Sequence, residues 1–504
     1  MPVIDHRSAE FGELGRAVLE GSQKIFQTAG PVVIFPSSGT GAWEAAIVNT
    51  LSPGDKVLMV ETGHFATLWR QMAGRFGIEV DFVPGDWRRG ADPAVIEAKL
   101  ADDTAHAIKA VMVVHNETST GTTSRIADIR AAIDRTGHPA LLMVDTISSL
   151  GSVDYRHDEW KVDVSVSCSQ KGFMLPPGLG FNAISDKARA ASRTNRMPRS
   201  YFDWEEMLKP NAKGFFPYTP ATNLLYGLRE AIAMLLEEGL DNVFARHRRL
   251  AAATRAAVNQ WGLEVLCQEP SEFSSVLTAV LMPPGHDADQ FRKVVLDNFN
   301  MSLGSGLSKV AGKVFRIGHL GECNELTLLG ALTGVEMGLS VAGVPHRSGG
   351  VETARRGGYE VSIQGHACRA GHALRDVFHH LCRSGEHRHR GRRDPEGARP
   401  VQHRARAGVL GLRLSVPVVP GDRRLGRRSF RSAQDLVLVR HDLGRGHHHD
   451  RLRRQPLRAV HRAFCAGVRR RRDLSDRNAR HAVLDAGEPA RLRAGANAFV
   501  RAAR

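Results

Sequence analysis

Lysine is absent from the last 149 of this chain's 504 residues. Positions 356–504 hold 34 arginines against 13 carboxylates, a net charge of +21, which leaves −5 for residues 1–355 out of the overall +16. The basicity therefore belongs to the last stretch, and the body reads as a mildly acidic protein of cytoplasmic type. Cysteine is also scarce. Six are present, at 168, 267, 323, 368, 382 and 465, with no Cys-x-x-Cys pair, so neither a disulfide framework nor a metal site of the zinc kind is indicated. No apolar run reaches the length of a membrane span, and Met1-Pro2-Val3-Ile4-Asp5-His6 is not a signal peptide. Aromatics make up only 6%, yet 42% hydrophobic content over this length is enough for a large two-domain core.

What is present is an alternation of short apolar strands with helices. Phe11 to Phe26 has the spacing of an amphipathic helix. Strands are expected at residues 31–36, 56–60, 80–83, 110–114, 140–145, 162–168 and 181–184, with helices at 42–48, from Gly63 through Met72, and at 126–133. Near-continuous apolar strands separated by helices imply an α/β fold, a mostly parallel sheet covered on both faces, with ligands at the carboxyl ends of its strands. The polar clusters after Phe35, Val60, Val114, Val144 and Cys168 all fall at those ends. From about Leu225 a long helix through Leu235 and Leu240, a helical run to Trp261, strands near Val265 and at residues 275–280, and a helix from Leu326 read as a smaller α+β domain.

Four features carry chemistry. Ser37-Ser38-Gly39-Thr40-Gly41 turns a strand into a helix, which is either a capped turn or an anion site built from free N–H groups and hydroxyls. Phe65 sits where a strand meets a helix, suited to stacking on a planar ring or to ordinary core packing. Asp145 closes an apolar strand, where it either caps the following turn or pairs with a protonated ring nitrogen. Lys171 follows the alternating strand at 162–168 and stands between it and a second short strand. Read alone it is a surface lysine; desolvated there, its neutral amine could condense with a carbonyl. Together these are the parts that hold and tune pyridoxal phosphate.

The segments SSGTGAWEAA (37–46), HNETSTG (115–121), VDTISSLG (144–151), SQKGFMLPPGLGF (169–181) and FRIGHLGECNE (315–325) resemble the class V aminotransferases of pyridoxal-phosphate fold type I, over about residues 1–354. Within that family the pattern most resembles the serine–glyoxylate branch. The resemblance implies that Lys171 is the Schiff-base lysine and Asp145 the pyridinium partner. It implies ring stacking by Phe65, phosphate binding by Ser38, Gly39, Thr40 and Gln170, and places beside the ring for Thr118 and Ile147. Thr219 is expected to reach a partner subunit's phosphate site in a homodimer, and Arg316 to bind the substrate α-carboxylate. The implied activity is transfer of an amino group from an amino acid, serine, to the 2-oxo acid glyoxylate. The alternatives are another class V member, using alanine or cysteine as donor, or a catalytically inactive binding protein. A desulfurase needs a mobile cysteine, and Cys168, Cys267 and Cys323 are not expected in loops of that kind.

The expected divisions are 1–235 for the cofactor domain, 236–355 for the small domain, and 356–504 for a basic extension. Relative to the family, the chain opens at a Met-Pro-Val-Ile-Asp-His-Arg that looks internal, so a pocket-building N-terminal segment is expected to be missing. The extension reads either as a nucleic-acid-binding arm or as the product of a reading-frame shift in a GC-rich gene. Its lysine void favours the shift, because basic arms mix lysine with arginine for phosphate contacts, and either origin implies disorder. Limited proteolysis should accordingly trim residues 356–504 first, and a 1–355 variant should keep the melting temperature of the full chain. A fall of more than about 4 °C on truncation would show instead that the extension packs on the body.

Overall fold

Residues 4–356 are described by the structure, a computed structural model. The expectations for the basic extension and for nucleic acid binding through it fall outside those residues. The main sheet is built from β1 (Val32–Ser37), β2 (Lys56–Val60), β3 (Glu79–Val83) and β4 (Ile108–Val114), and, past the two-residue strands β5 (Asn116–Glu117) and β6 (Thr122–Thr123), from β7 (Leu141–Asp145), β8 (Val164–Cys168) and β9 (Gly178–Ile184). Its order is β1-β9-β8-β7-β4-β2-β3. Every strand runs the same way except β9, which pairs antiparallel with β1 and with β8. The carboxyl ends of β1, β2, β4, β7 and β8 therefore share one edge, as the α/β pattern requires.

Strand alternation explains how both faces are covered. Val32 and Ile34 of β1, with Leu58, Val111 and Leu142, pack against α1 (Ala9–Phe26) and other helices of one layer. Val33 and Phe35, with Met59, Met112, Met143 and Val166, face α2 (Gly39–Thr50) and α3 (His64–Arg75), bringing Trp43, Ile47 and Trp69 into a second core. The helix after β1 begins at Gly39, three residues earlier than expected, so Gly39 and Thr40 are its first residues rather than part of a preceding turn.

A second, antiparallel sheet of four strands follows: β10 (Glu264–Val265), β11 (Leu277–Leu281), β12 (Gly304–Ser305) and β13 (Val314–Gly318), in the order β10-β11-β13-β12. Phe315 and Ile317 of β13 point into a core with Trp261, Phe291 and Leu332. Val314 packs on the opposite side, against Trp87. Arg316 shares the face of Val314, because residues two apart on a strand lie on one side. The long helix expected through Leu235 and Leu240 is two helices, Thr222–Glu238 and Leu240–Trp261, separated at Gly239 with φ +82°. An L side chain is disfavoured in that backbone region, and the apolar spacing alone does not reveal the break. Among the described residues no helix is long and apolar enough to cross a membrane.

Candidate active site

The shared strand edge carries a cavity of about 180 Å³ whose walls include Ser38, Gly39, Thr40, Phe65, Thr118, Asp145, Ile147, Gln170 and Lys171. Nine of the eleven residues anticipated from the sequence thus meet in one place. Trp43, Asn116 and Ser148 complete the lining, and the sequence reading had not assigned them to the site. Of the other two anticipated residues, Arg316 lines an adjoining cavity of about 380 Å³. Thr219 lies outside both, exposed on the connection before the helix at Thr222–Glu238. Lys171, Thr118 and Ser148 border the two cavities together.

Each wall has a local cause. Ser38 is the N-cap of α2, yet its side chain makes no capping bond, so the positive end of the helix opens on the cavity. Lys171 stands in a tight connection between β8 and β9, fixed by Ser169 N–H to Leu179 O at 3.0 Å, Leu175 N–H to Ser169 O at 3.1 Å and Met174 N–H to Lys171 O at 2.9 Å. Gly172 is required there, since a Cβ would come within 1.9 Å of Leu150 O. The half-buried Lys171 amine has no hydrogen bond or ion pair to any described residue. Beside it the Gln170 amide oxygen is buried without a partner, and an amide turned about its axis offers N–H groups to the same space.

Asp145 is 3% exposed and receives two N–H donors, Trp43 Nε1 at Oδ2 (3.0 Å) and Ile147 N at Oδ1 (2.7 Å). Burial pushes its carboxyl up to about 7, and the Glu117 carboxylate adds to the rise; the two donors and the Lys171 charge oppose it. Glu117 is itself fully buried and accepts from Phe65 N (3.2 Å), Ala66 N (3.1 Å), Ser119 N (3.1 Å) and Ser119 Oγ (2.6 Å). It thereby takes up the second and third N–H groups of α3, the first going to Ser119 Oγ, and fixes the backbone at Phe65 on the cavity wall. Gly63 makes room for it, because a Cβ would lie 2.4 Å from Glu117 Cγ. Burial raises the Glu117 carboxyl despite these donors.

Arg316 is half-buried, and its guanidinium is held by Ser305 O at Nε (2.8 Å) and Thr118 O at Nη1 (2.6 Å). Burial lowers its proton affinity, a change opposed by Glu117, and leaves a group suited to an anion. Cys168 closes β8, while Cys267, which is buried, and Cys323 lie on connections. Neither lines these cavities. Burial pushes the thiols of Cys168 and Cys267 up to about 12 and about 11, and Cys323 upward as well, away from the thiolate needed for attack.

A planar ligand with an anionic tail and a basic ring nitrogen would use the open helix end, the unpartnered amide, the aromatic wall and the buried carboxylate at once. Pyridoxal phosphate is such a ligand, and the fold and site together define a pyridoxal-phosphate-dependent enzyme of fold type I. Residues 4–318 match the family model "Aminotransferase class-V", and the chain belongs to the class V aminotransferases. It is 52% identical over 346 residues to the serine–glyoxylate aminotransferase of Methylorubrum extorquens, which covers 68% of this chain and 86% of the relative. It is 46% identical to the L-aspartate–glyoxylate aminotransferase of Paracoccus denitrificans, covering 70% and 90%. The crystal structure of ureidoglycine–glyoxylate aminotransferase from Bacillus subtilis superposes with a TM-score of 0.66 at 28% identity, covering 71% and 92%.

The raised Asp145 value fixes the sign of a pH effect in the cofactor-free protein. The unfolded chain releases this proton near 3.8 and the folded chain near 7, so between those values the folded state binds the extra proton and its stability falls as pH rises. Asp145→Asn removes that contribution. Urea unfolding should show the wild type losing stability relative to Asp145→Asn from about pH 4 to about pH 7. A difference that is flat or grows across this window would contradict it.

Proposed function

We propose that this chain transfers the amino group of L-serine to glyoxylate, giving hydroxypyruvate and glycine. The observation that carries the proposal is the position of Lys171 on the wall common to both cavities, between the buried carboxylate of Asp145 and the guanidinium of Arg316. The relatives named for glyoxylate support the acceptor, and the Methylorubrum relative supports serine as the donor.

When bound, pyridoxal phosphate supplies a carbonyl that takes the amino group and a ring that accepts the electron pair left by the α-proton. Lys171 would hold the cofactor between turnovers and move the α-proton as general base and acid. Asp145 would keep a proton on the ring nitrogen. Phe65, Thr118 and Ile147 would hold the ring. Ser38, Gly39, Thr40 and Gln170 would hold the phosphate, with Thr219 contributed across a homodimer interface. Arg316 grips the carboxylate that serine and glyoxylate share, through parallel N–H···O bonds that also set the Cα–H bond toward Lys171. In this reading residues 1–235 form the cofactor domain and residues 236–355 the small domain that carries Arg316, and the enzyme works in the cytoplasm.

Two substitutions test it. Borohydride should fix the cofactor covalently to the wild type and bleach its yellow colour, and Lys171→Ala should lose that attachment; a mutant still labelled by reduction would move the role to another lysine. Arg316→Lys keeps a charge but loses the two-pronged geometry, so kcat/KM for serine and for glyoxylate should fall by about one to three powers of ten with cofactor binding intact. Unchanged kinetics would place the clamp elsewhere. Assaying serine beside aspartate in both proteins separates the donor assignment from the clamp.

A further inference from the structure

Asp145 is buried, and its carboxylate must be kept aimed at the cavity without solvent partners on its far side. Trp43 supplies an answer. It lies on α2, one turn beyond the phosphate-facing N-terminus, is 3% exposed, and directs Nε1–H to Asp145 Oδ2 at 3.0 Å. The second donor, Ile147 N–H, reaches the other oxygen at 2.7 Å. One donor on each oxygen fixes the plane of the carboxylate and leaves acceptor positions toward the cavity that Trp43 and Asp145 both line. Both partners are donors only, so they favour the ionised carboxylate.

The indole is itself held. Trp43 stacks nearly parallel on Trp69, with ring centroids 5.8 Å apart and an interplanar angle of 14°. Trp69 is fully buried, and its own Nε1 has no hydrogen-bond partner among the described residues. The two rings thus differ in one respect that matters: the N–H of Trp43 reaches the carboxylate, and that of Trp69 reaches nothing.

We infer that Trp43 is a positioning residue for the reaction, acting through Asp145 to hold its carboxylate ionised and aimed into the cavity where the ring nitrogen would sit. This rests on the reading of Asp145 as the ring-nitrogen partner. A donor to a buried carboxylate matters at the steps in which charge enters the ring, and much less for carboxylate recognition at Arg316.

The experiment compares Trp43→Phe with Trp69→Phe in the full-length holoenzyme. Trp43→Phe should lower kcat about ten- to hundredfold, with KM for serine changed less than about threefold, and should weaken pyridoxal phosphate binding to the apoprotein about tenfold. The absorption band of the bound cofactor should shift as well. Trp69→Phe disturbs the same stack without removing a bond to Asp145, and should leave kcat and the absorption band near wild type. Equal losses in the two variants, or an unchanged kcat and spectrum in Trp43→Phe, would overturn the inference. If Trp43→Phe does not fold, benzothienylalanine at position 43, which keeps the ring size and lacks the N–H, provides the same comparison. Asp145→Asn separates the two levels. If it leaves kcat intact, the reading of Asp145 fails; if it abolishes turnover while Trp43→Phe keeps the wild-type kcat and absorption band, only the role of Trp43 fails.

Discussion

A carboxylate buried at the end of a central strand is the constraint on which this site depends. Asp145 lies on β7 between β4 and β8, where an unpaired charge would be expelled from the fold or neutralised. The chain answers with two N–H donors and the nearby Lys171 charge, and burial still lifts the carboxyl to about 7. A cationic ring nitrogen in the cavity would complete the compensation. In the proposed reading, that nitrogen would offset part of the cost of burying Asp145 and so contribute to cofactor binding.

The parallel order of the sheet places the other groups around that charge. Because β1, β2, β4, β7 and β8 end on one edge, the connections that follow them converge, although their residues are more than 130 positions apart in sequence. Ser38 stands at the N-cap position of the helix after β1, Phe65 lies in the first turn of the helix after β2, Thr118 follows β4 and β5, and Lys171 follows β8. The reversed strand β9 allows the Lys171 connection to be short, and a short connection closed by three main-chain hydrogen bonds limits how far the amine can wander.

The anticipated residues that meet in the cavity share a visible anomaly. Lys171 and Asp145 interrupt or close apolar strands, and Ser38, Gly39 and Thr40 break a strand into a helix, so local pattern singles them out. Trp43 and Glu117 gave no such sign. An indole in an apolar helix looks like core, and its polar partner lies 102 residues away. Glu117 stands in a run of polar residues and looks solvated, whereas its carboxylate is buried and satisfies N–H groups 51 and 52 residues earlier. Gly239 illustrates the same limit for the fold, since apolar spacing continues across the break and only the φ of +82° ends the helix. Information carried by long-range hydrogen bonds or by a single backbone angle is not expressed in periodicity.

One loop joins these parts. Residues 116–121 supply the carboxylate that seats Phe65, the Asn116 and Thr118 side chains that bond Ser148 at 2.8 and 2.9 Å, and the Thr118 carbonyl that holds Arg316. Arg316 comes from the second sheet, so the carbonyl of Thr118 is a direct tie between the two sheets across the site. A guanidinium with Nε and one Nη1 hydrogen committed to carbonyls keeps fewer directions in which to meet an anion, and in the proposed reading that restriction would orient the substrate as well as bind it. The same loop therefore fixes Phe65 on the wall of one cavity that Lys171 borders and Arg316 on the wall of the other. A displacement of its backbone would move both walls together, so the loop's own buried bonds, led by those of Glu117, shape the cavities as much as the residues that face them.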